Sequence, residues 1–110
     1  MNNSQNVTIS GNTIEAVATN GICMVNSTRH EGAAFPQFLR NIRVEGNIVK
    51  LRGPVTTGMT GDTTPSGVVF LTNTYYVDNL SGTYWQYMNQ MTKAQWQATG
   101  QDVGGKFLSW

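Results

Sequence analysis

The ionisable residues best suited to chemistry form one short cluster. Arg29, His30 and Glu31 are consecutive, and His30 is the single histidine of the sequence. A histidine exchanges protons near neutral pH, and an arginine binds a carboxylate through two parallel hydrogen bonds. The cluster therefore predicts either a site for an acidic substrate or a group of solvated loop charges, and both interpretations stay open.

A second candidate is the cation pair Lys50 and Arg52. Residues two apart on a strand point to the same face of a sheet, so the two side chains are expected to lie side by side. Such a pair neutralises an acidic group and assists removal of a neighbouring proton. Glu15 occupies the place of Lys50 in an earlier copy of the same sequence pattern, however, which is typical of a variable outward face.

Aromatic residues supply a third candidate surface, formed by Tyr75, Tyr76, Tyr84, Trp85 and Tyr87. Aromatic rings stack on the apolar faces of sugars, so this group predicts a saccharide platform with Trp85 as a candidate binding residue. The same side chains are equally suited to filling the core of the last segment of the chain. The two interpretations differ in whether the ring of Trp85 is exposed to solvent.

Composition narrows the classes of partner. Charged residues make up 12% of the 110 residues, and the net charge is +1, against roughly 25% charged residues in an average domain. Without a basic field we expect no nucleic-acid partner. No stretch approaches the roughly 18 apolar residues of a membrane span, so no membrane partner is expected either.

The residues that bind metals or hydrolyse glycosides do not come together in the sequence. Cys23 is the only cysteine, and no Cys/His cluster is present, so we expect no intrachain disulfide, no metal and no cofactor. Asp62, Asp78 and Asp102 are too scattered to predict the carboxylate pair of a glycoside hydrolase. Asp102 is instead expected to accept hydrogen bonds from backbone donors at the end of a helix.

An internal repeat predicts the elements that position these residues. Residues 6–15 read NVTISGNTIE, and residues 41–50 read NIRVEGNIVK. In both copies apolar and polar residues alternate around a Gly-Asn pair, which predicts a strand, a tight bend and a second strand. A unit that recurs along the chain indicates stacked coils of an all-β protein, with Val7 beneath Ile42.

A further strand completes each coil. Residues 21–27 and 67–73 form a second repeated pair, because each begins with glycine and continues as the apolar run of a covered strand. Two loops, at 28–40 and 53–66, interrupt the coils, and the second is too rich in Gly, Thr and Pro to be a helix. Both loops have lengths at which functional segments are common.

Asparagines at the bends are expected to stack in register. Asn12 and Asn47 occupy the same place in the two copies of the repeat, where each side-chain amide can bond the backbone or amide of the next. Asn73 belongs either to this ladder or to the next corner. This stacking predicts parallel strands about 4.8 Å apart.

The sequence changes character after residue 77. Thr92 and Gln95 have the spacing of a capping box, which predicts a short helix over 92–98, and a last short strand is expected near the end. A stack of coils ends in unpaired backbone and an open core, which an atypical terminal unit must cover. The chain therefore divides into β-helix coils over 1–77 and a C-terminal cap over 78–110.

The repeats and the tail together resemble the C-terminal end of a right-handed parallel β-helix protein. The repeats carry this resemblance over residues 6–77. The segment MTKAQWQATGQD at 91–102 is similar to the end of bacterial, carbohydrate-associated members, in which a short helix follows the last coils. The resemblance implies an all-β fold, a right-handed parallel β-helix of about two to three coils with a C-terminal cap containing one short helix.

The resemblance is to the pectate-lyase-like proteins, which include pectin and alginate lyases, polygalacturonases, uronan epimerases and phage tailspikes. It implies a polysaccharide partner. Because the residues form no convincing acid/base constellation, we expect for this chain a non-catalytic structural or carbohydrate-binding segment. The alternative is part of a polysaccharide lyase or glycoside hydrolase acting on acidic polysaccharide, with the two loops lining the cleft. Full-length members are usually secreted or cell-surface proteins, whereas the polar first residues of this chain lack the apolar core of a signal peptide.

A short stack of coils is also expected to have an exposed edge. Only a few residues precede the first repeat, so we expect a fragment whose N-terminal end leaves strands unpaired and exposes the ends of Val7, Ile9 and Ile14. Such a short stack also buries little core for its length. The sequence therefore predicts a homo-oligomer that associates through this end.

Overall fold

The computed structural model describes residues 5–17, 20–26, 40–61 and 67–110. Within them the protein is an all-β structure of eleven strands and one short helix. In chain order the elements are β1 (Gln5–Ser10), β2 (Thr13–Ala16), β3 (Cys23–Asn26), β4 (Arg40–Glu45), β5 (Ile48–Leu51), β6 (Thr57–Gly61), β7 (Val68–Leu71), β8 (Thr74–Val77), β9 (Trp85–Tyr87), β10 (Asn89–Met91), α1 (Lys93–Ala98) and β11 (Lys106–Ser109).

The strands form three sheets. The first sheet contains β1, β4 and β7 in that order, the second β2, β5, β8 and β11, and the third β3, β6, β9 and β10. All neighbouring strands are parallel except β9 and β10, which are antiparallel. From β1 to β9 the chain therefore makes three passes and visits the three sheets in the same order on each, an arrangement compatible with a β-helix-like fold.

The register of the strands confirms the principal sequence repeat. Val7 lies opposite Ile42, and Ile14 lies opposite Val49, with the paired strands running in the same direction. Ile42 and Val49 are fully buried, because alternate residues of each strand face the interior. Alternation in the sequence thus predicted which residues form the core of the first two passes.

The structure corrects the second predicted repeat, in which 21–27 was equated with 67–73. The strand β7, within the latter segment, pairs with β4 in the first sheet, and β3 pairs with β6 in the third. The strand β6 lies inside 53–66, which was expected to be a loop. Its sequence TGMTG places only one large apolar side chain, Met59, in the core, so it lacks the apolar run that made β3 and β7 look equivalent.

The residues after 77 extend two of the same sheets. The strand β9 pairs in parallel with β6, and β11 pairs in parallel with β8. The helix α1 begins at the predicted capping box, in which the Thr92 hydroxyl accepts the Gln95 N–H and the Gln95 side chain accepts the Thr92 N–H. The division into coils over 1–77 and a cap over 78–110 stays a prediction.

A ladder of amides links successive passes at one corner. The backbone N–H and Nδ2 of Asn12 donate to Asn47 Oδ1 at 3.0 and 3.1 Å. Asn47 donates in the same way to Asn73 Oδ1, at 3.0 Å from both nitrogens. This confirms the stacking of Asn12 and Asn47 and places Asn73 in the same ladder.

Asp102 ends the ladder. Its Oδ1 accepts the backbone N–H and Nδ2 of Asn73 at 3.1 and 2.9 Å, and its Oδ2 accepts Tyr75 Oη at 2.6 Å and Trp96 Nε1 at 2.9 Å. As predicted, this carboxylate accepts a backbone N–H, but the donor is Asn73 in the ladder and not a group at the end of the helix. A carboxylate accepts without needing a further acceptor of its own, and it therefore suits the last position of a one-way ladder.

The core lies between the three sheets and is rich in aromatic side chains near its C-terminal end. Phe70, Tyr75, Trp85 and Trp96 are all fully buried. Phe70 meets Trp96 edge to face, with ring centroids 5.2 Å apart, which ties α1 to the first sheet. In the described part of the chain, no helix has the length and apolar character needed to cross a membrane.

Candidate functional site

The cluster Arg29, His30 and Glu31 lies outside the described residues, so its proposed role stays a prediction. The loop 28–40 falls almost wholly in the same part of the chain. The remaining candidates from the sequence, Lys50, Arg52 and Trp85, lie in described segments.

Trp85 is fully buried at the start of β9. Its ring meets Tyr75 and Phe107 edge to face, at centroid distances of 5.5 and 5.1 Å. Tyr84, which precedes it, is also buried. The ring of Trp85 therefore presents no face to solvent. Tyr75, Tyr84 and Trp85 occupy core positions, whereas Tyr76 and Tyr87 of the predicted platform are only partly buried.

Lys50 and Arg52 lie on the outward face of the second sheet. Leu51, between them, is fully buried, so its two neighbours point to the opposite side of the strand. Lys50 is half-buried and Arg52 is exposed. The register also places Glu15 opposite Lys50 on the neighbouring strand, as the repeat predicted.

Each of these cations lies over an aromatic ring. Lys50 Nζ is 5.9 Å from the ring centroid of Tyr76, and Arg52 Cζ is 4.0 Å from that of Trp110. Trp110 is fixed by its backbone N–H, which donates to Val77 O at 2.8 Å. Cation–π contacts orient a charged group without neutralising its charge, so the two cations stay available to an anion.

No described carboxylate lies within ion-pair distance of Lys50 or Arg52; the ion pair seen in the described residues joins Arg43 and Glu45 at 3.3 Å. The charge of Arg52 does reach Asp78, where it is one of the lesser causes that lower the pKa of that carboxyl. The Tyr84 hydroxyl, which donates to Asp78, is the main cause. Asp78 is thus already engaged by a partner other than Arg52.

A groove of about 540 Å³ runs across all four strands of the second sheet, and its lining residues are Thr13, Ile48, Lys50, Tyr76, Ser109 and Trp110. This groove is called the second-sheet groove below. It combines ring faces, three hydroxyl groups and an ammonium group, with Arg52 stacked on one of its walls. Ligand sites have this mixture of apolar surface and a few polar groups. The arrangement suits a ligand with apolar faces, hydroxyls and a negative charge.

The sequence identified the two cations of this groove but not their aromatic partners. Tyr76 lies opposite Lys50, a relation that the sequence contains, because each of them is three residues beyond a ladder asparagine, Asn73 and Asn47. Equating 67–73 with the wrong strand concealed it. Trp110 was assigned to the cap, and nothing in the sequence placed it beside Arg52.

A smaller depression of about 270 Å³ lies beside the Asp78–Tyr84 pair, with Gly53, Pro54, Val55, Gly82, Thr83, Tyr84 and Gln90 as its lining residues. Burial, with the neighbouring Asp78, raises the pKa of Tyr84 to about 12. Asp78 also accepts the Gly53 N–H at 3.2 Å. At neutral pH the phenol keeps its proton and the carboxyl stays ionised, so the pair fixes the chain at this depression.

The described residues offer neither a cluster of metal ligands nor a thiolate at neutral pH. Among the residues that the structure describes, no three of His, Cys, Asp or Glu come together as metal ligands. Burial raises the pKa of the Cys23 thiol, so the thiol is protonated at neutral pH. The second-sheet groove and the smaller depression are thus the concave surfaces described for this part of the chain.

Comparison with protein-family models, with curated proteins and with solved structures found no match to this chain. The mostly parallel sheets are compatible with a β-helix-like fold, and the resemblance to pectate-lyase-like proteins stays a prediction from the sequence. The structure itself shows an all-β protein with three mostly parallel sheets and a cationic, aromatic groove on one of them.

Proposed function

We propose that this chain is a segment of a right-handed parallel β-helix that binds an acidic saccharide on its outer surface and has no catalytic activity of its own. The order in which the chain visits its three sheets supports the β-helix part of the proposal. Residues 78–110 would then act as its cap. The observation that carries the binding function is the pair of cations, each oriented by a ring, beside the second-sheet groove.

The groove offers complementary groups to each part of a uronic acid. Its carboxylate fits the guanidinium of Arg52, which can donate two parallel hydrogen bonds, and the ammonium of Lys50 adds a second positive charge. Its apolar ring face fits the side chains of Tyr76 and Trp110. The hydroxyl groups of the lining residues can form hydrogen bonds with the hydroxyls of the sugar.

The charges favour an acidic saccharide over the nearest alternatives. A neutral sugar needs the rings and hydroxyls but gains nothing from two adjacent cations. A nucleic acid needs a far wider basic surface than a chain of net charge +1 provides. A saccharide with one carboxylate per unit matches the neighbouring cations and the ring faces at the groove.

Isothermal titration calorimetry of the full chain with oligogalacturonate, and with a neutral dextran oligosaccharide as the reference, tests the proposal. We expect the double variant Lys50→Ala, Arg52→Ala to bind oligogalacturonate at least about tenfold more weakly than the wild type, because it removes both charges that contact the carboxylate. The matched control, Arg43→Ala with Lys93→Ala, removes the same two residue types outside the groove. It should leave the affinity within about twofold.

Two outcomes would contradict the proposal. Equal losses in the two double variants would mean that only the net charge of the protein attracts the saccharide. Equal binding of the dextran oligosaccharide and oligogalacturonate by the wild type would mean that the cations do not read the carboxylate.

The alternative function, a part of a polysaccharide lyase or glycoside hydrolase, is favoured by the outward position of Lys50 and Arg52 on one face. One cation would neutralise a uronate while the other assists proton abstraction. Incubation with pectate, alginate and polygalacturonate, followed by assays of new unsaturation and reducing ends, separates the two functions. The proposal predicts no turnover. Turnover by the wild type that is abolished in Lys50→Ala or His30→Ala would contradict the proposal and support the catalytic function.

A further inference from the structure

One asparagine of the sequence is followed directly by glycine. The pair is Asn20 and Gly21, whereas every other asparagine precedes a residue that has a side chain. In such a pair the backbone nitrogen of the glycine can attack the side-chain amide of the asparagine, because no Cβ on the glycine hinders the approach. Asparagine is a thermolabile residue for this reason, and Asn20 is the position of this chain at which the reaction meets least hindrance.

Both reacting groups of the pair are engaged in the folded protein. Gly21 N–H donates to Thr56 O at 2.9 Å, and Asn20 Oδ1 accepts the Thr56 hydroxyl at 3.0 Å. The backbone nitrogen can attack only after it has lost its proton, and a hydrogen bond to a carbonyl holds that proton in place. The first bond therefore withholds the nucleophile, and the second fixes the orientation of the amide.

The residue that follows fastens this segment to β6. Ile22 N–H donates to Thr57 Oγ1 at 3.1 Å, and Ile22 O accepts the Thr57 hydroxyl at 2.8 Å. A Cβ built on Gly21 would lie 3.1 Å from Leu51 Cδ2 and 3.3 Å from Thr57 Cβ, and both of these residues are buried. The backbone of Gly21 is thus packed against the interior, and its N–H is freed only when residues 20–22 separate from β6.

We propose that Asn20 is a site of covalent self-modification, and that the fold restrains the reaction by holding Gly21 N–H on Thr56 O. When residues 20–22 separate from β6, the Gly21 nitrogen loses its proton and forms a bond to Asn20 Cγ. The bond from Cγ to the side-chain nitrogen breaks, and that nitrogen takes up a proton and leaves as ammonia. Water then opens the cyclic imide at either carbonyl, which gives aspartate or isoaspartate at position 20.

The modification marks chains that have opened at this position. Asn20 is exposed, so water reaches the imide and the released ammonia diffuses away, which makes the change one-way. Isoaspartate also adds one carbon to the backbone between residues 20 and 21. This carbon displaces Gly21 from Thr56 O, so the modified chain cannot restore the bond that restrained the reaction.

Peptide mapping of the full chain by mass spectrometry measures the reaction, because the acid and the amide differ in mass. Samples in native buffer and in urea are compared at the same pH and temperature, and Asn20 should convert at least about tenfold faster in urea. Asn12 and Asn73, each followed by threonine, are internal controls that should stay largely intact in both samples. Equal conversion of Asn20 in the two samples, or no conversion in urea, would overturn the proposal.

Hydrogen exchange at the Gly21 amide measures independently how often this position opens. Deamidation and exchange both require the same N–H to leave Thr56 O. The ratio of the native to the unfolded deamidation rate should therefore match the corresponding ratio of exchange rates within about tenfold. A larger departure in either direction would overturn the proposal, since the reaction would then be governed by something other than this bond.

Gly21→Ala in urea is the chemical control. In the unfolded chain the crowding at Leu51 and Thr57 has no effect, and the new Cβ hinders the attack of the backbone nitrogen, so conversion of Asn20 should slow by at least about tenfold. A variant that converts as fast as the wild type would mean that the Gly21 nitrogen is not the nucleophile, and it would overturn the proposal.

Discussion

Asp102 shows how one residue ends a repeating structure. It is fully buried, and its two oxygens accept from Asn73, Tyr75 and Trp96. A buried carboxylate is tolerated only when hydrogen bonds replace its hydration. Here the same bonds also satisfy the buried polar atoms of a tyrosine and a tryptophan, so the carboxylate and its surroundings depend on one another.

Asp102→Asn should destabilise the protein by about 2–4 kcal/mol. In either orientation of the new amide, its NH₂ group replaces an oxygen that accepts hydrogen bonds and so points at donors that are left without an acceptor. Urea unfolding monitored by circular dichroism measures the effect. Glu15→Gln, which makes the same chemical change at an exposed residue, should change stability by no more than about 0.5 kcal/mol. Equal stability of the two variants would contradict the assigned role of Asp102.

Tyrosine ionisation should set the alkaline limit of stability. Burial, aided by the charge of Asp102, raises the pKa of Tyr75 well above its ordinary value, and burial with Asp78 raises that of Tyr84 from 10.0 to about 12. Below pH 10 both states keep these protons. As the pH rises from 10 to 12, the unfolded chain releases them while the folded chain retains them, so the stability that they contribute is lost.

The midpoint of urea unfolding should therefore fall as the pH rises from 10 towards 12. Tyr84→Phe removes one of the two phenols, and its midpoint should fall less steeply than that of the wild type over this range. The comparison is made within each protein between pH values, so a loss of stability from the missing hydroxyl does not affect it. Parallel curves for the two proteins would show that Tyr84 does not titrate differently in the two states.

At the residue scale, the alternation of apolar and polar residues in the sequence predicted which side chains face the core and which face outward. Outward Lys50 and Arg52 and inward Ile42 and Val49 followed from the period of two. The contacts of Lys50 with Tyr76 and of Arg52 with Trp110 depend on which strands are neighbours, and alternation within one strand contains no such information.

At the scale of elements, β6 is the informative failure. Its Thr57 is buried and exchanges hydrogen bonds with Ile22, accepting the backbone N–H at 3.1 Å and donating to the backbone O at 2.8 Å. A threonine at a core position reads as polar in a sequence pattern, so the alternation that marks a strand is hidden. The helix α1, by contrast, was predicted correctly because a capping box is a local signal.

Gly58 is a position in β6 at which only glycine fits. Its φ is 134°, and a Cβ built on it would lie 2.1 Å from Gln86 O of the adjacent strand β9. Gly58→Ala should destabilise the protein by about 3 kcal/mol or more, since the clash is with backbone and the pairing of β6 and β9 must open. Thermal unfolding measures the loss.

The control for this variant is Gly46→Ala. Gly46 also has a positive φ, 66°, but a Cβ there would meet nothing within 4 Å. Only the conformational penalty remains, so we expect a loss of about 1 kcal/mol. A Gly58→Ala chain that is no less stable than Gly46→Ala would mean that β6 and β9 are not as close as the structure has them.

At the scale of the whole molecule, the parallel pairing of the two repeat copies was predictable, whereas the assignment of the other strands to sheets was not. The Gly-Asn repeat and the asparagine ladder are periodic signals, and both were confirmed. The third sheet contains β3, β6 and β9, which are neighbours in the folded protein but share no sequence pattern. The proposed binding of an acidic saccharide depends on a surface that only this assembly creates.

The tryptophans offer the most direct test of the central claim, which is that the second-sheet groove binds an acidic saccharide. Trp110 lines the groove, whereas Trp85 and Trp96 are fully buried and serve as internal controls. In a nuclear magnetic resonance titration with oligogalacturonate, the indole N–H signal of Trp110 should shift and saturate while the other two stay in place. No shift at Trp110, or equal shifts at all three, would contradict the account.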